Sequence, residues 1–110
     1  MDGTPRQLEI YSTVDGDEPF ETWMAALKNV AARAAIRARL ERLEEGNFGD
    51  NRAVGDGVSE LRIHFGPGYR VYYGLDGLVI VLLLTAGDKA TQEKDIKKAK
   101  KYWQDYQRRG

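Results

Sequence analysis

The chain has 110 residues with a formal net charge of zero, and 42% of them are hydrophobic, as in a globular protein rather than a disordered one. With no cysteine and one histidine, it is excluded from disulfide scaffolds, thiolate or histidine metal sites and cysteine nucleophiles. The longest apolar run, residues 78–84, falls far short of the ~20 residues of a membrane helix.

The amino terminus has no apolar stretch of the kind found in signal peptides. We therefore expect a single cytoplasmic domain over residues 1–110 with no cofactor and no metal. Its charge is unevenly distributed, with 7 Lys+Arg and 12 Asp+Glu in residues 1–61 against 10 and 5 in residues 62–110. This asymmetry indicates a dipolar surface with one side that attracts anions, or a chance distribution of surface charges.

The first half of the chain predicts one strand and two helices. Residues Gln7–Ser12 alternate between polar and apolar, as in a half-buried strand. Asp17 is a suitable N-cap for a first helix that carries Pro19 in its first turn. An apolar stripe at helical spacing follows, formed by Phe20, Trp23, Met24 and Leu27. Residues 30–45 predict a second helix that ends at Gly46, and a tight helical hairpin is favoured over one long rod.

A glycine-rich segment, residues 46–57, is interpreted as a loop. After it the period changes to two: residues 60–65 predict a strand with one buried and one solvent-facing side, and residues 69–73 predict its partner. Gly66-Pro67-Gly68 lies between them and predicts a three-residue hairpin loop.

The remaining elements complete the fold prediction. Asp76-Gly77 is typical of a two-residue hairpin turn. The continuously apolar residues 78–84 predict an interior strand covered on both faces, and residues 90–108 predict a helix. The order is one strand, a helical hairpin, a three-stranded antiparallel meander and a C-terminal helix, which is an α+β domain.

The predicted hairpin loop implies a particular cross-strand pairing. It places Arg62 opposite Tyr72 and His64 opposite Arg70 on the polar side of the sheet, with directly opposed Cβ atoms about 5 Å apart. Such a patch suits a phosphodiester, since guanidinium groups bind phosphate oxygens, histidine carries protons near neutral pH and tyrosine stacks on unpaired RNA bases. An RNA substrate supplies its own nucleophile in the 2′-hydroxyl, so no metal is required.

Simpler interpretations apply to the same residues. Arginines on a wet strand face are commonly solvated, His64 could pair with Glu60, Tyr72 could pack across strands, and the lysines of the last helix could serve solubility. Residue patterns alone therefore predict no more than an α+β domain with a basic, anion-binding sheet face.

Three stretches resemble a known protein superfamily. Residues 60–73, Glu-Leu-Arg-Ile-His-Phe-Gly-Pro-Gly-Tyr-Arg-Val-Tyr-Tyr, resemble the hairpin of RelE/ParE toxins, with an L-R strand, a turn and then Y-R-V. Residues 82–92, which contain Gly-Asp-Lys-Ala-Thr-Gln, and residues 95–106 resemble the HigB-like addiction-module killer proteins. Residues 19–23 also lie where that subfamily has its first helix.

The resemblance implies a RelE-like fold and the toxin of a bacterial type II toxin–antitoxin module, silenced by a helix-turn-helix antitoxin. Related toxins cleave mRNA in the ribosomal decoding site, so the 70S ribosome and mRNA are the implied partners, with no membrane involved. By position, Arg62 and Arg70 would bind the scissile phosphate, and Lys89 falls where relatives place a basic or aromatic catalytic residue. His64 is added as a catalytic candidate from the strand pairing. The residues assigned to substrate binding are Tyr72, Lys97 and Lys101.

Two departures from the superfamily keep alternatives open. Ribosome-dependent toxins tend to be strongly basic whereas this chain is neutral, and no histidine or tyrosine follows the last strand until Tyr102, which leaves the general acid unassigned. The alternatives are a ParE-like inhibitor of DNA gyrase and a non-toxic remnant that binds the antitoxin.

Overall fold

The computed structural model describes residues 5–109, which form five strands and three α-helices. Their bounds in chain order are β1 (Gln7–Ile10), α1 (Pro19–Ala26), α2 (Val30–Glu44), β2 (Asn51–Gly55), β3 (Val58–Ile63), β4 (Tyr69–Asp76), β5 (Ile80–Asp88) and α3 (Gln92–Arg109). A short 3₁₀ turn, Lys89–Thr91, links β5 to α3. The mixed α+β architecture, the division of residues 19–44 into two helices and the C-terminal helix agree with the sequence prediction.

The strands form one sheet in the order β1-β5-β4-β3-β2. β1 lies at one edge and runs parallel to β5, whereas β2 to β5 form an antiparallel meander. Parallel pairing of β1 with β5 brings the start of the chain beside its last strand. The two edge strands of the sheet are therefore β1 and β2.

Helices cover both faces of the sheet, so two hydrophobic cores form. On one face α1 and α2 bury Phe20, Met24, Ile36, Leu40 and Leu43 against alternate residues of β3, β4 and β5. On the other face α3 packs Ala99 and Trp103 against Tyr72, Leu82 and Leu84. β5 is buried on both sides, as predicted from its unbroken apolar run. In the described part of the chain, no helix combines the length and the apolar character that a membrane crossing requires.

The predicted loop over residues 46–57 is wrong, because residues 51–55 form the edge strand β2. This strand pairs with β3, so the meander has four strands rather than three. Most of its residues are exposed, and it therefore lacks the apolar alternation by which strands are recognised. Asp56-Gly57 makes the turn into β3 with φ of 56° and 86°, the conformation of a tight two-residue hairpin.

The predicted pairing of β3 with β4 is also wrong. Ile63 pairs with Tyr69 and Arg62 with Arg70, a shift of two residues from the prediction. The reason lies in the turn, where the Gly68 N–H donates to the Phe65 carbonyl, so that the connection takes up residues 64–68. A shift of two residues leaves every side chain on its predicted face, because strand side chains alternate with a period of two.

Several element ends differ from prediction, among them those of β3, predicted over residues 60–65, and β5, predicted over residues 78–84. α1 begins at Pro19 with Glu18 at the N-cap, because Asp17 is used in a turn whose backbone pairs with Thr13. The turn after Asp76 contains three residues, 77–79, since Asp76 pairs with Ile80. α3 begins at Gln92 rather than residue 90, after the 3₁₀ turn that the Asp88 side chain caps.

Candidate anion-binding site on the sheet

A buried carboxylate, Glu60, is the centre of a polar cluster on the α3 side of the sheet. Its side chain has no solvent exposure. It accepts hydrogen bonds at Oε1 from Arg52 Nε (3.2 Å) and Arg62 Nε (3.1 Å), and at Oε2 from Tyr72 Oη (3.0 Å) and Gln92 Nε2 (2.9 Å). Arg70 Nε lies 3.7 Å from Oε2. We call these six residues the Glu60 cluster.

Strand register brings the Glu60 cluster together. Arg52 of β2, Glu60 of β3 and Tyr72 of β4 are direct cross-strand neighbours and form one row across the sheet. Arg62 and Arg70 form the next row. Opposed side chains on one face have Cβ atoms about 5 Å apart, so both rows converge on Glu60. Gln92, the first residue of α3, completes the cluster from the helix that covers this face.

The cluster carries more positive than negative charge. Three guanidinium groups surround one carboxylate, and their side chains are exposed by 52% at Arg52, 32% at Arg62 and 13% at Arg70. Arg70 Nε and Nη1 are buried without a hydrogen-bond partner among residues 5–109. Buried donors without an acceptor are costly, so an incoming anion that accepts from them gains both charge attraction and hydrogen bonds.

The protonation states within the cluster are set by these contacts. Burial alone would raise the pKa of Glu60, but the hydrogen bonds from Gln92, Arg62, Tyr72 and Arg52 outweigh burial and hold that pKa below its usual range. Burial and the adjacent Glu60 carboxylate raise the pKa of Tyr72. Glu60 is therefore ionised and Tyr72 neutral at physiological pH.

The prediction that Tyr72 stacks on an RNA base is wrong, because its side chain has no solvent exposure. α3 packs over this part of the sheet and closes the face that the sequence indicated as solvated. The Tyr72 hydroxyl instead donates a hydrogen bond to Glu60. Tyr72 therefore holds the Glu60 carboxylate in position, and its side chain is not accessible to a ligand.

A second buried carboxylate, Asp95 of α3, lies beyond Arg70. Arg70 pairs with Gly87 of β5, and a Cβ at Gly87 would come within 1.8 Å of Asp95 Oδ2. Glycine at this position therefore allows α3 to approach the sheet. Asp95 accepts a hydrogen bond of 2.5 Å from the Thr91 hydroxyl. Burial raises the pKa of this carboxyl, with the Thr91 hydrogen bond opposing the shift.

His64 directly follows β3, two residues after Arg62. Its Nε2 is bonded to Asp50 Oδ2, and the His64 side chain is 75% exposed. It pairs neither with Arg70, as the predicted register required, nor with Glu60, as the simpler interpretation suggested. The Asp50 carbonyl also accepts from the Arg62 N–H at 2.9 Å, which ties this segment to β3.

The predicted lysines lie in the 3₁₀ turn and along α3. Lys89 begins the 3₁₀ turn, and its backbone N–H donates to the Gly68 carbonyl. An open depression beside the start of α3 is lined by residues 89–94 and Lys97. Lys101 is exposed one helical turn further on and does not line this depression.

Sequence reasoning missed three members of the cluster: Arg52, Glu60 and Gln92. The Asp56-Gly57 hairpin turn could have revealed β2 and thereby the pairing of Arg52 with Glu60. No sequence pattern indicates the contact of Gln92 with Glu60, which depends on how α3 packs. Within residues 5–109, no group of three or more histidine, aspartate and glutamate side chains is placed to hold a metal ion.

Comparison with known proteins identifies the family. A protein of Haemophilus influenzae described as uncharacterized is 56% identical over 81 residues, which cover 74% of this chain and 82% of that protein. Residues 22–104 match the family described as phage derived protein Gp49-like (DUF891), and this range contains the whole Glu60 cluster. Such a match is compatible with a toxin of a toxin–antitoxin module. The chain belongs to the Gp49-like family of phage-derived proteins.

Proposed function

We propose that this protein is the toxin of a bacterial type II toxin–antitoxin module, with a RelE/HigB-like fold, and that it cleaves mRNA on the 70S ribosome. A helix-turn-helix antitoxin is its proposed inhibitor. The observation that carries the proposal is the Glu60 cluster, in which three arginines share one carboxylate and Arg70 keeps two buried donors that find no acceptor within the described residues 5–109.

Arg62 and Arg70 are the proposed ligands of the scissile phosphate. They are direct cross-strand neighbours; Arg62 Nε donates a hydrogen bond to Glu60, and Arg70 Nε forms a longer ion pair of 3.7 Å with the same carboxylate. Anchoring of this kind limits the motion of the guanidinium groups before the substrate arrives. Preorganised cations of this type stabilise charge that develops in a transition state, each by about 3 kcal/mol.

Cleavage by this site uses the substrate's own nucleophile. In RNA the 2′-hydroxyl next to the scissile phosphate attacks phosphorus, and the P–O5′ bond breaks to leave a 2′,3′-cyclic phosphate and a 5′-hydroxyl. The protein then has to orient the phosphate, balance its charge and transfer protons. Lys89, Lys97 and Lys101 provide further positive charge for the neighbouring RNA backbone.

The test is to express the wild type and Arg70→Ala in a bacterial host without the antitoxin and to map new 5′ ends on translated mRNAs. We expect growth arrest with cuts inside reading frames for the wild type and neither for Arg70→Ala. Circular dichroism of the purified variant confirms that it is folded.

Other outcomes point to the alternatives. Growth arrest with supercoiling defects and no mRNA cuts refutes the nuclease and favours a gyrase inhibitor. A folded wild-type protein that does not slow growth refutes the toxin and favours a remnant that only binds the antitoxin.

A further inference from the structure

The hydrogen bond between His64 and Asp50 is not used by the anion site as described above. The carboxylate can only accept, so Nε2–H of His64 is the donor, and Nδ1 is the nitrogen left to act on a substrate. His64 follows Arg62 by two residues, which is about 7 Å along an extended chain. An exposed imidazole of defined orientation therefore borders the arginine row.

Asp50 is held in place by its own backbone. Its carbonyl accepts from the Arg62 N–H at 2.9 Å, and the next residue, Asn51, pairs with Leu61 at the start of β2. The Asp50 side chain is 49% exposed against 75% for His64. The carboxylate is thus the more fixed member of the pair, and the imidazole is the member that a substrate can reach.

We propose that Asp50 is a positioning residue that orients His64 as the general base of the cleavage reaction. This inference rests on the proposed nuclease function. A carboxylate behind an imidazole fixes its tautomer and orientation and stabilises the imidazolium that forms when it takes a proton. The pair supplies the proton transfer that Arg62 and Arg70, which are always charged, cannot perform.

The proposed step balances without a metal or a redox partner. Nδ1 of His64 takes the proton of the 2′-hydroxyl as the O2′–P bond forms and the P–O5′ bond breaks. The departing O5′ takes a proton from a water molecule. The imidazolium then returns its proton to the hydroxide that remains, so the enzyme is unchanged after each cleavage.

Two further contacts involve Asp50. The Arg62 N–H donates to its carbonyl, and the Arg39 guanidinium of α2 interacts with its carboxylate charge. Asp50→Asn preserves the shape of this side chain while removing its charge, so it isolates the effect on His64.

The experiment measures single-turnover cleavage of a short mRNA bound to 70S ribosomes, at saturating and subsaturating concentrations of the full-length protein. We expect His64→Ala to slow the saturated rate by about 100-fold, within the usual range for loss of a general base. We expect Asp50→Asn to slow it by about 10-fold and Asp50→Glu to restore part of the loss. The concentration that gives half of the maximal rate should not change, because neither residue binds the phosphate.

Two further measurements separate positioning from a structural role. The double variant His64→Ala/Asp50→Asn should cleave no more slowly than His64→Ala, since Asp50 acts only through the imidazole. Added imidazole should partly rescue His64→Ala, because the ring site is open to solvent. Asp56→Asn is the matched control: Asp56 is an exposed residue of the β2–β3 turn with φ of 56°, which asparagine tolerates, and it pairs with Lys100.

The outcomes distinguish this inference from the function on which it rests. If the wild type cuts and Asp50→Asn cuts equally fast, the role of Asp50 is refuted while the nuclease stands. If the losses from the two single variants multiply in the double variant, Asp50 acts independently of His64 and the inference also fails. If the wild type cuts no RNA, the proposed function and the inference fall together.

Discussion

Replacement of Glu60 by glutamine removes the negative charge on which the anion-binding site is built. The carboxylate accepts four hydrogen bonds and is fully buried. The amide of Glu60→Gln keeps one acceptor oxygen but places an NH₂ group where the other oxygen accepted from Tyr72 and Gln92. Two acceptor contacts are lost there, and Arg70 loses its ion pair with Glu60.

The loss of folding free energy in Glu60→Gln follows from these contacts. Hydrogen bonds to a charged group contribute about 1.5–3 kcal/mol each, and removal of one partner of a buried ion cluster costs about 3–5 kcal/mol in total. We expect the lower part of that range, because Arg52 is half exposed and its pairing with Glu60 is screened by solvent. For a domain of this size, 3 kcal/mol lowers the melting temperature by about 12 °C.

Thermal and urea denaturation followed by circular dichroism measure this loss. The control is Glu44→Gln on the exposed side of α2, which should change stability by less than about 0.5 kcal/mol. A loss below about 1 kcal/mol for Glu60→Gln would refute the conclusion that Glu60 organises the cluster. An equal loss in both variants would point to a general charge effect instead.

The same variant has a defined pH dependence. The pKa of Glu60 is lowered in the folded protein, so the stabilisation it contributes is complete above its unfolded value, near 4.5, and is lost as pH falls through the folded value. The stability difference between wild type and Glu60→Gln should therefore be constant from pH 5 to pH 7 and shrink in more acidic solution. A difference that stays constant in acid would contradict the lowered pKa.

Three further perturbations test the packing of α3 and its charged surface. Gly74→Ala places a Cβ 2.4 Å from the Trp103 ring, so we expect a loss of about 1–3 kcal/mol with altered tryptophan fluorescence. Asp95→Asn should be most favourable relative to wild type at neutral pH, since the raised pKa of Asp95 means that stability falls as pH rises through the folded value. Urea denaturation at pH 4 and pH 7 measures that difference. Lys97→Gln combined with Lys101→Gln should weaken ribosome binding and reduce its salt dependence by about one or two charges without changing stability.

Each of these expectations has a contradicting result. Wild-type stability and fluorescence in Gly74→Ala would mean that α3 does not pack on β4 as described. A relative stability of Asp95→Asn that increases toward acid would reverse the inferred direction of the Asp95 pKa. Unchanged ribosome affinity in the double lysine variant would assign those side chains to solubility alone.

Periodicity predicted the elements whose two sides differ in burial. Leu61 and Ile63 of β3 are buried as the alternation predicted, and residues 81–84 of the predicted apolar strand are buried in β5, whereas Leu78 and Val79 lie in the turn before it and are exposed. β2 escaped prediction because an edge strand exposed on both faces has no apolar pattern. The pairing of Arg62 with Arg70 depended on hydrogen bonding within the turn after β3, which the Gly-Pro-Gly sequence did not reveal.

The site was predictable only in part, for a tertiary reason. Arg62 and Arg70 were recognised from the hairpin and lie together on the predicted face. Glu60 and Tyr72 were interpreted as solvent-facing, because their burial results from α3 packing over the sheet. Contacts made by an element far away in sequence, such as Gln92 to Glu60, leave no local pattern.

Primer extension on mRNA bound to purified 70S ribosomes tests whether the Glu60 cluster cleaves RNA. The proteins compared are the wild type, Arg70→Ala, Arg70→Lys and the exposed control Arg37→Ala. We expect cuts by the wild type and by Arg37→Ala, no detectable cut by Arg70→Ala, and weak cutting by Arg70→Lys, because lysine keeps the charge but lacks the planar fork. Equal cutting by the wild type and Arg70→Ala would contradict the assignment of the scissile phosphate to the Glu60 cluster. The absence of any cut by the wild type would contradict the nuclease itself.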